Sequence, residues 1–122
     1  MQDAFEDWMD ERAREVQGEW FDGKVAGTTH RNPDGTSRQQ IALTLAPHDE
    51  LTLQAEPDNP WDANAIAVLT AGGEQLGYLE ARLAREVTLR WKRCIRTRCF
   101  VRAVRQRGDI AGVSFGLVQW QG

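Results

Sequence analysis

The chain of 122 residues has only two cysteines and no run approaching the roughly 20 consecutive apolar residues of a membrane-spanning helix. Cys94 and Cys99 are too few for a disulfide framework, which points to a reducing compartment. The two histidines, His30 and His48, lie remote from them in sequence, so no zinc-ligand spacing is present. A glycine-rich phosphate loop and metal-spaced carboxylate pairs are also missing, and nothing singles out a Cys–His nucleophile. The expectation is a non-enzymatic protein without metal or cofactor. The first residues, Met1-Gln2-Asp3-Ala4-Phe5-Glu6-Asp7, are acidic where a secretory signal is basic and then apolar, so a cytoplasmic location is expected.

What is present fits one ordinary globular domain, with 41% hydrophobic and 27% charged residues. The net charge of −3 hides a strong asymmetry. Residues 1–22 hold eight acids against two arginines, whereas residues 82–107 hold ten Lys/Arg against the single acid Glu86. Local clusters set the surface field, so the basic stretch points to a polyanion despite the acidic whole.

Residues 2–17 carry Phe5, Trp8, Met9, Ala13 and Val16 on one helical stripe, ended by Gly18. This acidic amphipathic helix, residues 1–18, reads as an appendage to a domain spanning 19–122. Its apolar stripe needs burial on that domain, in a protein partner or in a dimer, and its acids are placed to compete with nucleic acid for the basic stretch. Period-two patterns predict strands over 20–26, 40–45, 51–55, 65–70 and 75–79, the last two joined by a Gly72-Gly73 hairpin. A helix is predicted over 81–92, with Leu83, Ala84, Val87 and Trp91 inward. Strands over 99–104 and 112–120 flank a turn at Arg107-Gly108-Asp109. Many short strands favour closure, hence a mainly β fold with added helices: a small barrel of about six to seven strands with one inserted helix and the N-terminal helix.

The most informative stretch is Glu56-Pro57-Asp58-Asn59-Pro60-Trp61-Asp62-Ala63-Asn64-Ala65-Ile66. Pro57 and Pro60 fix φ and restrict the residues before them, so a stiff turn carries an indole next to a carboxylate. Trp61 either packs on Pro60 or stands out to stack on a flat ring, and Asp62 either caps the next turn or accepts from a ligand hydroxyl. Asn64 reads as a structural loop residue, and Gly77 as a point of close strand approach.

These residues carry a resemblance. Val25-Ala26-Gly27, Asp49-Glu50-Leu51-Thr52-Leu53, Glu56-Pro57, Asn59 through Val68, Gly77-Tyr78-Leu79 and Leu83-Ala84 together resemble the HIRAN domain family, over about 100 residues from 20 to 120. The resemblance implies a small barrel related to the oligonucleotide-binding fold. It also implies capture of single-stranded DNA 3′ ends, as in members attached to fork-remodelling ATPases. By position, Asp62 matches the carboxylate that accepts from the 3′-hydroxyl, Trp61 an aromatic flanking the end, and Asn59 a polar neighbour. Tyr78 matches a His or Tyr facing the DNA. Where such members carry a basic residue and tyrosines, this chain has Thr28-Thr29-His30-Arg31, and Glu80-Ala81 replaces an expected lysine.

The expected site is thus Asp62, Trp61, Asn59, His30, Arg31, Tyr78 and Thr29, bound to single-stranded DNA or frayed ends beside a wall of arginines. Two other classes stay open: a protein-interaction adaptor that kept the barrel, and an enzyme acting on DNA ends.

Overall fold

The computed structural model describes residues 2–122. Helix α1 (Ala4–Val16) opens with the Asp3 carboxylate accepting from the Glu6 N–H at 2.8 Å. It closes with Gln17, not Gly18, in the left-handed conformation (φ 53°), while the Gly18 N–H donates to the Ala13 carbonyl. Six strands follow: β1 (Glu19–Ala26), β2 (Glu50–Ala55), β3 (Ile66–Thr70), β4 (Gln75–Leu79), β5 (Ile95–Arg107) and β6 (Ile110–Gln121). They close in the order β1-β4-β3-β2-β5-β6, every pairing antiparallel, so no edge is left exposed. Helix α2 (Arg38–Leu43) packs on β4 and β6, and α3 (Ala81–Lys92) crosses between β4 and β5.

Residues 38–43 form α2, not the expected strand. The alternation of Ile41, Leu43 and Leu45 is real in the sequence, but six residues are too few to separate period two from one helical turn. In the helix Arg38, Ile41 and Ala42 share the buried face, and Leu43 is left 54% exposed. The Ser37 side chain caps it by accepting from the Gln40 N–H. Strands β5 and β6 also run longer than expected, 13 and 12 residues, because their outer faces are polar and hide the alternation at the hairpin end.

The interior is filled from every strand by Val25, Leu51, Ile66, Val68, Leu76, Val101, Phe115 and Leu117, with Val87 of α3 and Ile41 of α2 sealing it. A second apolar cluster lies outside the barrel, where Phe5, Met9 and Ala13 of α1 press on Phe100 and Val118. Gly116 makes that docking possible: a Cβ there would meet the Phe5 ring at 2.9 Å. Trp8, half-buried, stacks on His48 at 4.5 Å and meets Phe100 edge-on at 4.9 Å. The stripe of α1 is therefore covered by its own barrel. Burying Phe5 and Met9 contributes about 1.5–3 kcal/mol each to holding the helix down.

Candidate nucleic-acid interface

The loop between β2 and β3 is built from its own hydrogen bonds. Glu56 N–H to Ala65 O (2.9 Å) closes its base, and Asn59 N–H to Glu56 O (3.0 Å) and Ala65 N–H to Asp62 O (3.1 Å) form two turns inside it. The Asn59 Oδ1 accepts from the N–H groups of Trp61 (2.9 Å) and Asp62 (3.2 Å). Asp62 Oδ1 in turn accepts from the Asn64 N–H at 2.8 Å. The carbonyl of Asn64 takes the Thr88 hydroxyl at 3.5 Å, which ties the loop to α3. Two prolines and these side-chain turns hold the backbone fixed, and Trp61 stands 92% exposed on it. The indole is thus a large rigid flat surface open to solvent.

Tyr78 of β4 forms the opposite side of the corner. Its hydroxyl donates to Glu56 Oε1 at 2.8 Å, and the same oxygen accepts from Asn59 Nδ2 at 3.0 Å. Gly77 beside it has no room for a side chain, since a Cβ would strike the Ala26 carbonyl of β1. Glu56, Asp58, Asn59, Pro60, Trp61 and Tyr78 line an open pocket. The half-buried Asp62 spends one carboxylate oxygen on the turn, and its other oxygen has no hydrogen bond among the described residues.

Beneath Tyr78 sits Arg38, 7% exposed, with its guanidinium 5.6 Å from the ring centre. Arg38 donates to Asn32 Oδ1 (2.7 Å) and the Gly27 carbonyl (3.0 Å), and Asn32 Nδ2 donates to the Gln75 carbonyl (2.9 Å). Gln39 bonds the carbonyls of Thr28 and Ala111, both at 2.9 Å. Helix α2 thereby pins the loop leaving β1 against β4 and β6. Sequence reasoning missed Arg38 and Gln39 because both lie just ahead of the 40–45 segment read as a strand, in a stretch assigned to no element. It also left Glu56 without a role, although the Glu-Pro start of the loop was visible.

The seven expected site residues divide. Trp61, Asn59 and Tyr78 line one corner, and Asp62 adjoins it through its N–H on Asn59 Oδ1, although its side chain is not among those lining the pocket. His30 and Thr29 are exposed on the loop after β1. The His30 ring lies 3.7 Å from where a Gly27 Cβ would be, next to Ala26, which pairs with Tyr78. Arg31 is occupied nearby, its guanidinium donating to the Gly35 carbonyl at 2.9 Å. Thr28, neighbour of both, is buried with its hydroxyl on the Ala111 carbonyl.

The expected arginine wall is not beside Trp61: the pocket there holds Glu56 and Asp58 and no lysine or arginine. The cations of the basic stretch are spent or placed elsewhere. Arg98 grips Glu50 through two bonds of 2.9 and 2.8 Å, which holds the Glu50 carboxyl below its ordinary pKa. Arg90 donates to Gln119 Oε1 at 3.0 Å. Arg102 is held by Asp22, by Asp3 at 2.6 Å and by Glu6 at 3.1 Å, with its own pKa raised chiefly by the Asp22 bond. A corner that is acidic and aromatic repels phosphate and accepts hydroxyls and flat rings.

A family model described as HIRAN domain matches residues 19–109, which excludes α1. The helicase-like transcription factor of Oryctolagus cuniculus is 49% identical over 37 residues, 30% of this chain, and the match spans 4% of that protein's length. The crystal structure of the HIRAN domain of human HLTF superposes with a TM-score of 0.63 at 22% identity, covering 84% of this chain and 75% of that one. A structural-genomics protein from Lactobacillus plantarum gives 0.67 at 20% identity, covering 84% of this chain and 96% of its own.

Proposed function

Since the chain belongs to the HIRAN family, we propose that it is a non-catalytic nucleic-acid-binding domain that takes the 3′-hydroxyl end of single-stranded or frayed DNA. The observation that carries this reading is the 92% exposed Trp61 on a self-braced loop, in a pocket lined by Glu56 and Asp58 and by no lysine or arginine. A terminal base stacks on the indole, and Tyr78 and His30 offer further flat surfaces on the same side. Stacking of this kind is worth about 1–3 kcal/mol per base and tolerates any sequence. The free oxygen of Asp62 accepts from the terminal hydroxyl, while Glu56 and Asp58 make a phosphate at that position unfavourable. Asn59 acts as a positioning residue, because its amide is consumed in holding Trp61 and Asp62.

Matched oligonucleotides ending in 3′-hydroxyl or 3′-phosphate, with a blunt duplex as third arm, test this by fluorescence anisotropy. The expected order places the single-stranded hydroxyl end first, and Asp62→Ala narrows the difference between hydroxyl and phosphate to the repulsion from Glu56 and Asp58. Equal weak binding to all three sinks the end-binding reading and favours a protein-interaction adaptor.

A further inference from the structure

A strand held by its end at an acidic corner must find cations for its phosphates elsewhere on the barrel. The outer face of β1, β6 and β5, beyond the end of α1, supplies them in a groove of about 560 Å³, the size of a ligand cleft. Its floor is small: Ser114 lies between Lys24 of β1 and Ala103 of β5, and Gly112 faces Arg105. A register shift between Val101 and Ala103 reverses the alternation of β5, so Ala103, Arg105 and Arg107 share this outer face. Lys24, Arg105 and Arg107 are exposed, and among the described residues none has a carboxylate within salt-bridge distance. Of the acids here, Asp22 is neutralised by Arg102, and Asp109 sits in the turn between β5 and β6. Ile110, 54% exposed, adds an aliphatic surface at the hairpin. Lys24 precedes by two residues Ala26, which pairs with Tyr78, so groove and corner are roughly 7 Å apart along β1.

We infer that this groove of Lys24, Arg105 and Arg107 is a second, sequence-independent contact that holds the phosphodiester backbone of a single strand. The inference rests on the end-binding reading for the strand's direction, but its chemistry needs no end. Each phosphate neutralised releases condensed counterions, about 0.7 in the log–log salt slope for single strands, so three cations give a slope near −2.

The test uses the full chain with a closed circular single-stranded DNA, which has no ends, and a linear 3′-hydroxyl strand of the same sequence. Affinity is measured across a salt series for the wild type, the triple variant Lys24→Gln/Arg105→Gln/Arg107→Gln, the charge-preserving Arg105→Lys/Arg107→Lys, and Trp61→Ala. Expected are binding of the circle by the wild type and a flatter slope by about 2 in the triple variant on both DNAs. The charge-preserving variant keeps the wild-type slope, and Trp61→Ala weakens only the linear strand. The inference is overturned if the wild type ignores the circle, or if the triple variant keeps the wild-type slope at an unchanged melting temperature. Loss of the hydroxyl preference alone, with the circle still bound through the three cations, sinks the end-binding reading and leaves the groove intact.

Discussion

Replacing Trp61 by alanine separates binding from folding more cleanly than any other change. The ring is 92% exposed, so its removal forfeits almost no burial, and the loop's hydrogen bonds come from Asn59, Asp62 and the backbone and survive. Stability is expected to change by less than about 0.5 kcal/mol, the usual range for surface positions. Affinity for a single strand is expected to fall by the stacking of one base, about 1–3 kcal/mol, or roughly 5- to 150-fold at 1.4 kcal/mol per decade. Trp61→Phe keeps a flat ring and should recover most of that loss. Trp20 is the internal contrast. It is half-buried, with its indole N–H on Asp10 at 2.7 Å, so Trp20→Ala should lower the melting temperature by several degrees. Fluorescence anisotropy with a labelled oligonucleotide and thermal melting of the same samples give both readings. Wild-type affinity in Trp61→Ala, or a melting loss comparable to that of Trp20→Ala, would refute the reasoning.

Asn59→Ala removes the acceptor that orients Trp61 and Asp62 and should weaken oligonucleotide binding about as much as Trp61→Ala, although Asn59 need touch no ligand, as a titration would show. Asp3→Asn/Glu6→Gln/Asp22→Asn keeps a capping side chain yet leaves Arg102 without a carboxylate partner beside the groove, so affinity for single strands should rise and the salt slope steepen by about 0.7. Acid should loosen α1. Asp10 is held below its ordinary value near 3.8 chiefly by the Trp20 bond, and Asp3 chiefly by the Glu6 N–H and then Arg102. A lowered folded pKa means the contribution is present above the ordinary value and is lost as pH falls through the folded one, so Trp20 fluorescence should change below about pH 4 before far-ultraviolet circular dichroism does.

Much of this architecture was legible in the chain. The apolar stripe of α1, the alternation in β2 and β4, the inner face of α3 and the Gly72-Gly73 hairpin each obey a single period over enough residues to be read. The stiffness of the Trp61 loop was legible from Pro57 and Pro60, but whether the ring packed on Pro60 or stood out was left open, and only the folded loop decides it. What stayed hidden has physical causes. Helix α2 buries Arg38, a residue type that composition rules place outside, and its apolar residues span too few positions to reveal their period. The distribution of cations depended on a bulge at Arg102 that nothing in the sequence signals, yet it decides which arginines of β5 face outward. Counting charge along residues 82–107 found the basic stretch, but ten side chains on a helix and a strand point in many directions. The acidity of the pocket by Trp61 came from Glu56 and Asp58, residues whose side-chain directions only the folded loop defines.

The most direct measurement uses the five tryptophan indole N–H resonances in solution. Those of Trp20 and Trp91 are bonded to Asp10 and Thr97 within the fold, whereas the ring of Trp61 stands in solvent. Titration with a short oligonucleotide bearing a 3′-hydroxyl is expected to shift the Trp61 resonance first and furthest, with a 3′-phosphate strand moving it far less. An unmoved Trp61 resonance at saturating oligonucleotide, or equal shifts with both ends, would contradict the role given to this corner.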